Sequence, residues 1–322
     1  MRFLEDRRLY TDTDYCLEYC QSLPAHPQAG SGPAVLFHVY WYGELSALPV
    51  LSIKSFLTMH DPDQARLWLW LDAEKGYATH RDNPFIRPLL PLVTVRRFDP
   101  LQEVRGTFLD AELSRHLALR IRKKTLLRPA GNLVHQADVF RLLILHKYGG
   151  VYFDADMLFL RSLQPLLHHI PAREFCYQWS AQHYANTAIL KMEREGDVSK
   201  TVMARALKIR NFQPWHLYQF SQDTTDLLCL PSPMFDSCWL SFDGQDQSRH
   251  IRFANFAGFF APMEDVCPLE MFCPGAFTYH WHNQWAADDI ANSHAGRFNR
   301  EIDDILRSKY KIEPYPSFKK RD

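Results

Sequence analysis

Residues 137–156, ADVFRLLILHKYGGVYFDAD, constrain this chain more than any other stretch. An apolar helical run stops at Gly149-Gly150, the residue type best able to take left-handed geometry at a helix end. A strand-like Val151-Tyr152-Phe153 comes next and leads into Asp154-Ala155-Asp156. Strand, helix and strand alternate elsewhere in the chain too, which points to an α/β sheet whose ligands bind beyond the carboxyl ends of its strands. If Asp154 and Asp156 continue the strand they point to the same side, and both can address one cation. Mg²⁺ and Mn²⁺ prefer oxygen ligands and are commonly shared between carboxylates and substrate phosphates. The pair therefore reads as a metal site set against a diphosphate, the bland alternative being a solvated loop.

Asp138 and Arg141 lie three apart inside the apolar helix, so they are neighbours on one face. Two readings stand side by side. As a structural pair they satisfy each other's buried charge. As ligands, Asp138 accepts hydrogen bonds from sugar or ribose hydroxyls and Arg141 offers its planar fork to sugar or phosphate.

The rest of the chain supplies the frame. Residues 1–23 read as an amphipathic helical lead-in and 24–33 as a Pro/Gly loop. Strands are expected over 34–39, 66–71 and 92–97, with helices over 49–59 and about 110–122. No internal repeat or linker divides the remainder, so the expected organisation is a lead-in over 1–33, one α/β domain over 34–310 and a basic tail over 311–322. Equal numbers of acidic and basic side chains, 37 each, argue against a general nucleic-acid binder. Seven scattered cysteines without a CxxC pair suit a reduced, cytoplasmic setting better than a disulfide framework. The start carries no apolar leader, and no stretch approaches the ~18 apolar residues of a membrane span. The basic runs Arg120-Ile121-Arg122-Lys123-Lys124 with Arg128, and Lys319-Lys320-Arg321, read either as solvated faces or as contacts to the inner face of an anionic membrane.

The segment Asn132-Leu133, then Ala137-Asp138-Val139-Phe140-Arg141, then Tyr148 through Asp156 resembles the DXD sugar-transferase family. That family includes Och-type mannosyltransferases, capsular and lipopolysaccharide glycosyltransferases and, more distantly, the catalytic domains of the clostridial glucosylating toxins. The resemblance implies a GT-A-like, Rossmann-related mixed sheet flanked by helices. It also implies transfer of a hexose from a UDP- or GDP-sugar to a glycan or lipid-linked glycan hydroxyl, with retention, in surface polysaccharide assembly. His38-Val39-Tyr40-Trp41-Tyr42-Gly43 is similar to the family's first strand, and Trp41, with Tyr40 beside it, is implied to stack on the nucleotide base. His280-Trp281, followed by Trp285, is similar to the closing motif that completes the metal and diphosphate site.

The chain departs from the pattern at two places. Gln284 stands where the family usually carries serine, and Leu230-Pro231-Ser232-Pro233 lacks the glycine of a Thr-Gly-Pro stretch. With the hydroxyl missing, His280 is the first choice as third metal ligand and His282 the second, unless both are hydrogen-bonded core residues. Asn186 resembles the family's asparagine after the mid-domain strand and is expected near a donor or acceptor hydroxyl, or in a structural turn. Asp72 is expected either at the nucleotide or as a helix cap. No carboxylate identifies itself as a nucleophile. An inverting enzyme would need a general base, for which Asp243, Asp246, Glu264 and Asp265 are unplaced candidates. A metal-dependent nucleotide-sugar phosphohydrolase and a non-catalytic nucleotide-sugar binder are the rival readings.

Overall fold

The apolar runs of the sequence become the centre of a mixed sheet, and each run feeds two cores by alternation. The computed structural model describes residues 1–24, 33–73, 75–115, 133–170, 173–182, 184–209, 219, 226–263, 266–284, 290–316 and 318. Its strands are β1 (Arg2–Phe3), β2 (Val35–Trp41), β3 (Ala65–Asp72), β4 (Thr94–Phe98), β5 (Gly150–Phe153), β6 (Met157–Phe159), β7 (Glu174–Gln178), β8 (Ala185–Met192), β9 (Leu227–Leu230) and β10 (Thr278–His280). Eight of them form one sheet in the order β1-β9-β7-β8-β5-β2-β3-β4, and β6 pairs with β10 in a small separate sheet. Strands β5, β2, β3 and β4 run parallel, β8 runs antiparallel to both β5 and β7, and β7, β9 and β1 are again parallel. The result is the mixed, helix-flanked α/β sheet expected from the sequence.

Successive residues of a strand point to opposite faces. Phe37, Leu69, Val151 and Phe153 accordingly join one core, with the helix Ala47–Met59 packed on it. Tyr40, Trp70, Tyr152 and Leu190 join the other, beneath the helix Leu133–Tyr148. Phe140 on that helix is wholly buried and stacks on Tyr40 with ring centroids 4.6 Å apart. Burying a side chain of this size contributes about 1.5–3 kcal/mol. The C-terminal helix His294–Tyr310 is tied to Ala47–Met59 by a buried ion pair, Lys54 to Asp303 at 2.8 Å.

The turn from helix to β5 is fixed on both sides. Gly149 and Gly150 have φ of +68° and +101°, as their type at a helix end suggested. A Cβ on Gly150 would stand 2.3 Å from the carbonyl oxygen of Leu36 on β2, so glycine is also required for close strand approach. His38 pins the turn: the Trp70 indole N–H donates to its Nδ1 at 3.1 Å, which leaves Nε2–H to donate to the Gly149 carbonyl at 2.9 Å. Burial pulls the His38 pKa down to about 4, so the ring is neutral there.

Some expectations shift. The lead-in is not helical throughout: Arg2–Phe3 adds an edge strand beside β9, and the helix spans only Thr13–Ser22. A two-residue strand carries too little alternation to be read from sequence. The helix expected near 110–122 is Phe108–Arg115 as far as it is described, and the basic run after it lies outside the described residues, as does the one at the C-terminus. Among the described residues, no helix is long and apolar enough to cross a membrane. All seven cysteines are free and buried, Cys16 and Cys20 included.

Candidate active site

Arg141 projects from the helix Leu133–Tyr148 towards the carboxyl end of β5 and is 5% exposed. Its Nη2 lies 3.3 Å from Asp138 and 3.2 Å from Asp154, and its Nη1 donates to the Thr187 hydroxyl at 2.6 Å. The guanidinium also sits over the Tyr152 ring, 4.8 Å from its centroid. The structural reading of Asp138 and Arg141 as a pair is therefore realised, but the pair extends to the first aspartate of the signature. Asp138 is 2% exposed, and neither of its carboxylate oxygens takes a hydrogen bond among the described residues. Burial pushes its pKa up to about 7, against the pull of Arg141.

Asp154 and Asp156 stand in the turn between β5 and β6 rather than on a continued strand. The Met157 N–H donates to the Asp154 carbonyl at 3.2 Å and closes that turn. The turn still brings the two carboxylates together. Asp154 Oδ1 accepts from the Tyr152 hydroxyl and faces Arg141; Asp156 Oδ2 accepts the Asn283 N–H at 2.8 Å and lies 3.2 Å from His280 Nε2. The second oxygen of each takes no hydrogen bond among the described residues and is available to a cation. Burial raises the Asp154 carboxyl, with Arg141 opposing and Asp156 adding to the rise. Asp156 is held below its ordinary value, because His280, His282 and the Asn283 N–H outweigh its burial.

His280 reaches this place through the small sheet, in which it pairs directly with Met157. One ligand atom each from Asp154, Asp156 and His280 lies within 4.8 Å of the others, a spacing and donor set suited to an oxygen-preferring divalent cation that accepts one imidazole. Two aspartates, one of them raised by burial beside the other, are the electrostatic condition such a cation relieves. His282, the second choice as ligand, is turned elsewhere. Its Nε2 is 2.6 Å from Asp236 Oδ2, and with His280 it forms a second Asp-His-His group. Asp236 is fully buried and was missed by sequence reasoning; burial would raise its carboxyl, but His282 and His280 hold it below its ordinary value.

These groups open on a cleft of about 690 Å³ between the carboxyl ends of β2 and β5, lined by Tyr40, Trp41, Tyr42, Ser46, Ala137, Arg141, Tyr152, Asp154, Ala155, Asp156 and Asn283. Trp41 lines it, its indole N–H donating to the Glu44 carbonyl at 3.0 Å. Tyr40 is mostly buried against Phe140 and offers the cleft only part of its ring. Asn186 does not line the cleft: it lies at the start of β8, where its Oδ1 accepts the Ala188 N–H at 2.8 Å. Its neighbour Thr187, pointing to the other face, is the residue that meets Arg141. Asp72 is buried at the end of β3 and, like Asn186, is not among the cleft residues. Asp243 accepts from Ser180 at 2.5 Å and Asp246 from the Thr13 N–H at 2.8 Å, so both are tied into loops. Asn132, Glu264, Asp265 and Trp285 lie outside the described residues.

Residues 114–174 match the model of a family described as the glycosyltransferase sugar-binding region containing the DXD motif. A 36-residue stretch is 53% identical to inositol phosphoceramide mannosyltransferase 3 of Schizosaccharomyces pombe, covering 11% of this chain and 10% of that protein. Among solved structures, an active-site mutant of LgtC is 15% identical over 83% of this chain and 94% of its own, with a TM-score of 0.47. The bifunctional glycosyltransferase WbbM is 11% identical over 86% and 50%, with a TM-score of 0.49. The PaToxG glycosyltransferase is 14% identical over 69% and 80%, with a TM-score of 0.44.

Proposed function

We propose, from the premise that this chain carries the DXD-containing sugar-binding region of glycosyltransferases, that it transfers a hexose from a nucleotide-diphosphate sugar to a hydroxyl of a glycan acceptor. The observation that carries the reading is the convergence of Asp154, Asp156 and His280 on one point beside a cleft that Arg141 and Trp41 also line. Bound there, Mn²⁺ or Mg²⁺ would supply positive charge to the departing diphosphate. Asp154 and Asp156 hold that charge in place, and His280 completes the set.

The remaining residues take roles their positions support. Trp41 presents an aromatic face to the nucleotide base. Arg141, already held by Asp154 and Thr187, directs its guanidinium at the sugar phosphate. Asp138, buried and not among the cleft residues, faces Arg141 at 3.3 Å and would set that guanidinium from behind. In the reaction the bond from the anomeric carbon to the diphosphate oxygen breaks and a bond from that carbon to the acceptor oxygen forms. The acceptor attacks from the face the diphosphate leaves and passes its proton to the departing oxygen, and this same-face course retains the anomeric configuration. Asp243 and Asp246 are engaged with Ser180 and Thr13 and are not among the cleft residues. Fixed charges aimed at the departing group are usually the largest single contribution to catalysis of this kind.

The test is a thermal-shift and calorimetric screen of UDP-glucose, UDP-galactose, UDP-N-acetylglucosamine and GDP-mannose, each with Mn²⁺ and with EDTA. GDP-mannose is included because the yeast relative is a mannosyltransferase by name. One nucleotide class should stabilise the protein only with metal, and Asp156→Asn should lose that response with its fold intact. Metal-dependent donor consumption that needs no acceptor would instead favour the phosphohydrolase, and binding without turnover the non-catalytic relative.

A further inference from the structure

We infer that Asp236 is a positioning residue for the metal-ligand set: it fixes the His280 imidazole so that Nε2 faces the two signature aspartates, and it holds the His282–Asn283 turn through His282. The inference rests on the reading of Asp154, Asp156 and His280 as cation ligands.

Asp236 follows the short 3-10 turn Ser232–Met234 at the end of β9 and is 0% exposed. One of its oxygens, Oδ2, serves both imidazoles: it is 2.6 Å from His282 Nε2 and 3.4 Å from His280 Nδ1. The other oxygen takes no hydrogen bond among the described residues, so the two imidazoles alone compensate the buried charge. An ionised carboxylate only accepts, so a nitrogen that serves it carries hydrogen; His280 meets one on each side, Asp236 at Nδ1 and Asp156 at Nε2, and the Tyr177 hydroxyl stands 3.2 Å from Nδ1. A cation at Nε2 would displace the hydrogen there, and Nδ1 would then keep its own, towards Asp236 and the Tyr177 hydroxyl. Nε2, 3.2 Å from Asp156, stands where Asp154 and Asp156 converge. A carboxylate behind a ligating histidine sets the ring's tautomer and orientation and raises its basicity.

The second hold is mechanical. The rings of His280 and His282 stack at 3.9 Å with 22° between their planes, so neither can turn without moving the other. His282 and Asn283 have φ of +48° and +58°, a region that non-glycine residues enter only when their surroundings hold them there. Asp236 holds the first through its side chain, and Asp156 Oδ2 holds the second through its N–H. Releasing Asp236 therefore loosens the ligand His280 and the N–H that orients the ligand Asp156 together.

The test is Mn²⁺ titration of the full chain, free Mn²⁺ being read by electron paramagnetic resonance, for wild type, Asp236→Asn and Asp236→Ala. Both variants should bind Mn²⁺ about 10–100-fold more weakly, and Asn, which keeps an acceptor oxygen, should lose less than Ala. Circular dichroism and thermal unfolding report whether each variant is folded. An Asn variant that folds and binds Mn²⁺ as the wild type does overturns the inference and leaves the cation reading standing. A wild type that binds no Mn²⁺ at millimolar concentration overturns both. A measurement on the wild type needs no variant: nitrogen-15 NMR of the Mg²⁺-loaded protein should place the His280 proton on Nδ1, and a proton on Nε2 overturns the inference.

Discussion

Arg141 Nη2 and Asp154 Oδ1 stand 3.2 Å apart, so the helix before the glycine turn and the aspartate after it are joined by charge as well as by chain. The same guanidinium faces Asp138, yet Asp154 acts on Arg141 more strongly, and the Asp138 carboxyl is left with its pKa raised by burial to about 7. One cation thus faces a buried acid, Asp138, and a partly buried one, Asp154, and does not fully serve the first. Under the proposed reading, this leaves a guanidinium poised beside a site that would receive a metal and a nucleotide sugar.

Replacing Arg141 by lysine keeps the charge and loses the fork. A single ammonium cannot meet Asp138, Asp154 and Thr187 together. We expect Arg141→Lys to lower kcat about 100-fold, the scale of losing one group that stabilises developing charge. Arg141→Ala should in addition lower unfolding free energy by about 3–5 kcal/mol, because it strands buried carboxylates. Steady-state kinetics and urea unfolding read the two effects, and undiminished kcat in the lysine variant would take Arg141 out of the reaction.

Trp41 tests the nucleotide end of the cleft. Its indole N–H is anchored on the Glu44 carbonyl, so the ring is held and little order is lost on stacking. Trp41→Ala should weaken UDP or GDP binding by about 1–3 kcal/mol, the magnitude of a base–aromatic contact. Calorimetry gives the answer; unchanged affinity makes Trp41 a packing residue.

Gly150→Ala probes the turn. The new methyl group would meet the Leu36 carbonyl at 2.3 Å in a backbone conformation with φ of +101°. Held conformations of this kind cost about 1–3 kcal/mol each, and separating β5 from β2 adds to that. Gly244→Ala is the control, with positive φ but nothing within 4 Å, and should lose less. Urea midpoints for the two variants should fall in that order, and Mn²⁺ affinity should drop only for Gly150→Ala.

Glu174 gives a pH dependence remote from the cleft. Burial raises its pKa to about 7 despite the Glu193 N–H that its Oε1 accepts. A carboxyl whose folded pKa exceeds its unfolded value of 4.5 binds more protons folded than unfolded between the two. Its contribution to stability therefore declines as pH rises from about 4.5 to about 7 and is level above. Unfolding free energies of wild type and Glu174→Gln across pH 4.5–8 should converge towards low pH and separate in favour of the variant above 7. Parallel curves would show that Glu174 titrates normally.

Much of this arrangement was legible because its signals are local. The helix, the double glycine and the apolar strand announce themselves within one contiguous run, and the conformations of Gly149 and Gly150 follow from residue type. Positions that depend on remote partners were not legible. Asp236 has no spacing relation to His280 or His282, and only its setting among Phe235, Cys238 and Trp239 hinted that its charge must be paired inside the fold. The family resemblance points to Asn186, but alternation along β8 turns the next residue, Thr187, to Arg141; one residue decides which side chain faces it. The sequence alone reads the aspartate pair as a continued strand, whereas β5 ends at Phe153 and a turn does the convergence.

The pairing of β6 with β10 also sets the order in which the site can come into existence. Asn283 and Asp156 are 127 residues apart in sequence, and His280 meets Asp156 only once β10 has docked on Met157–Phe159. Such distant closures pay their loop entropy before they are rewarded and tend to form late. A chain emerging from the ribosome therefore displays both aspartates long before it owns an imidazole to set beside them. Under the proposed reading, metal capacity would arrive with the docking of β10, so tight Mn²⁺ binding would mark a finished molecule rather than a folded signature.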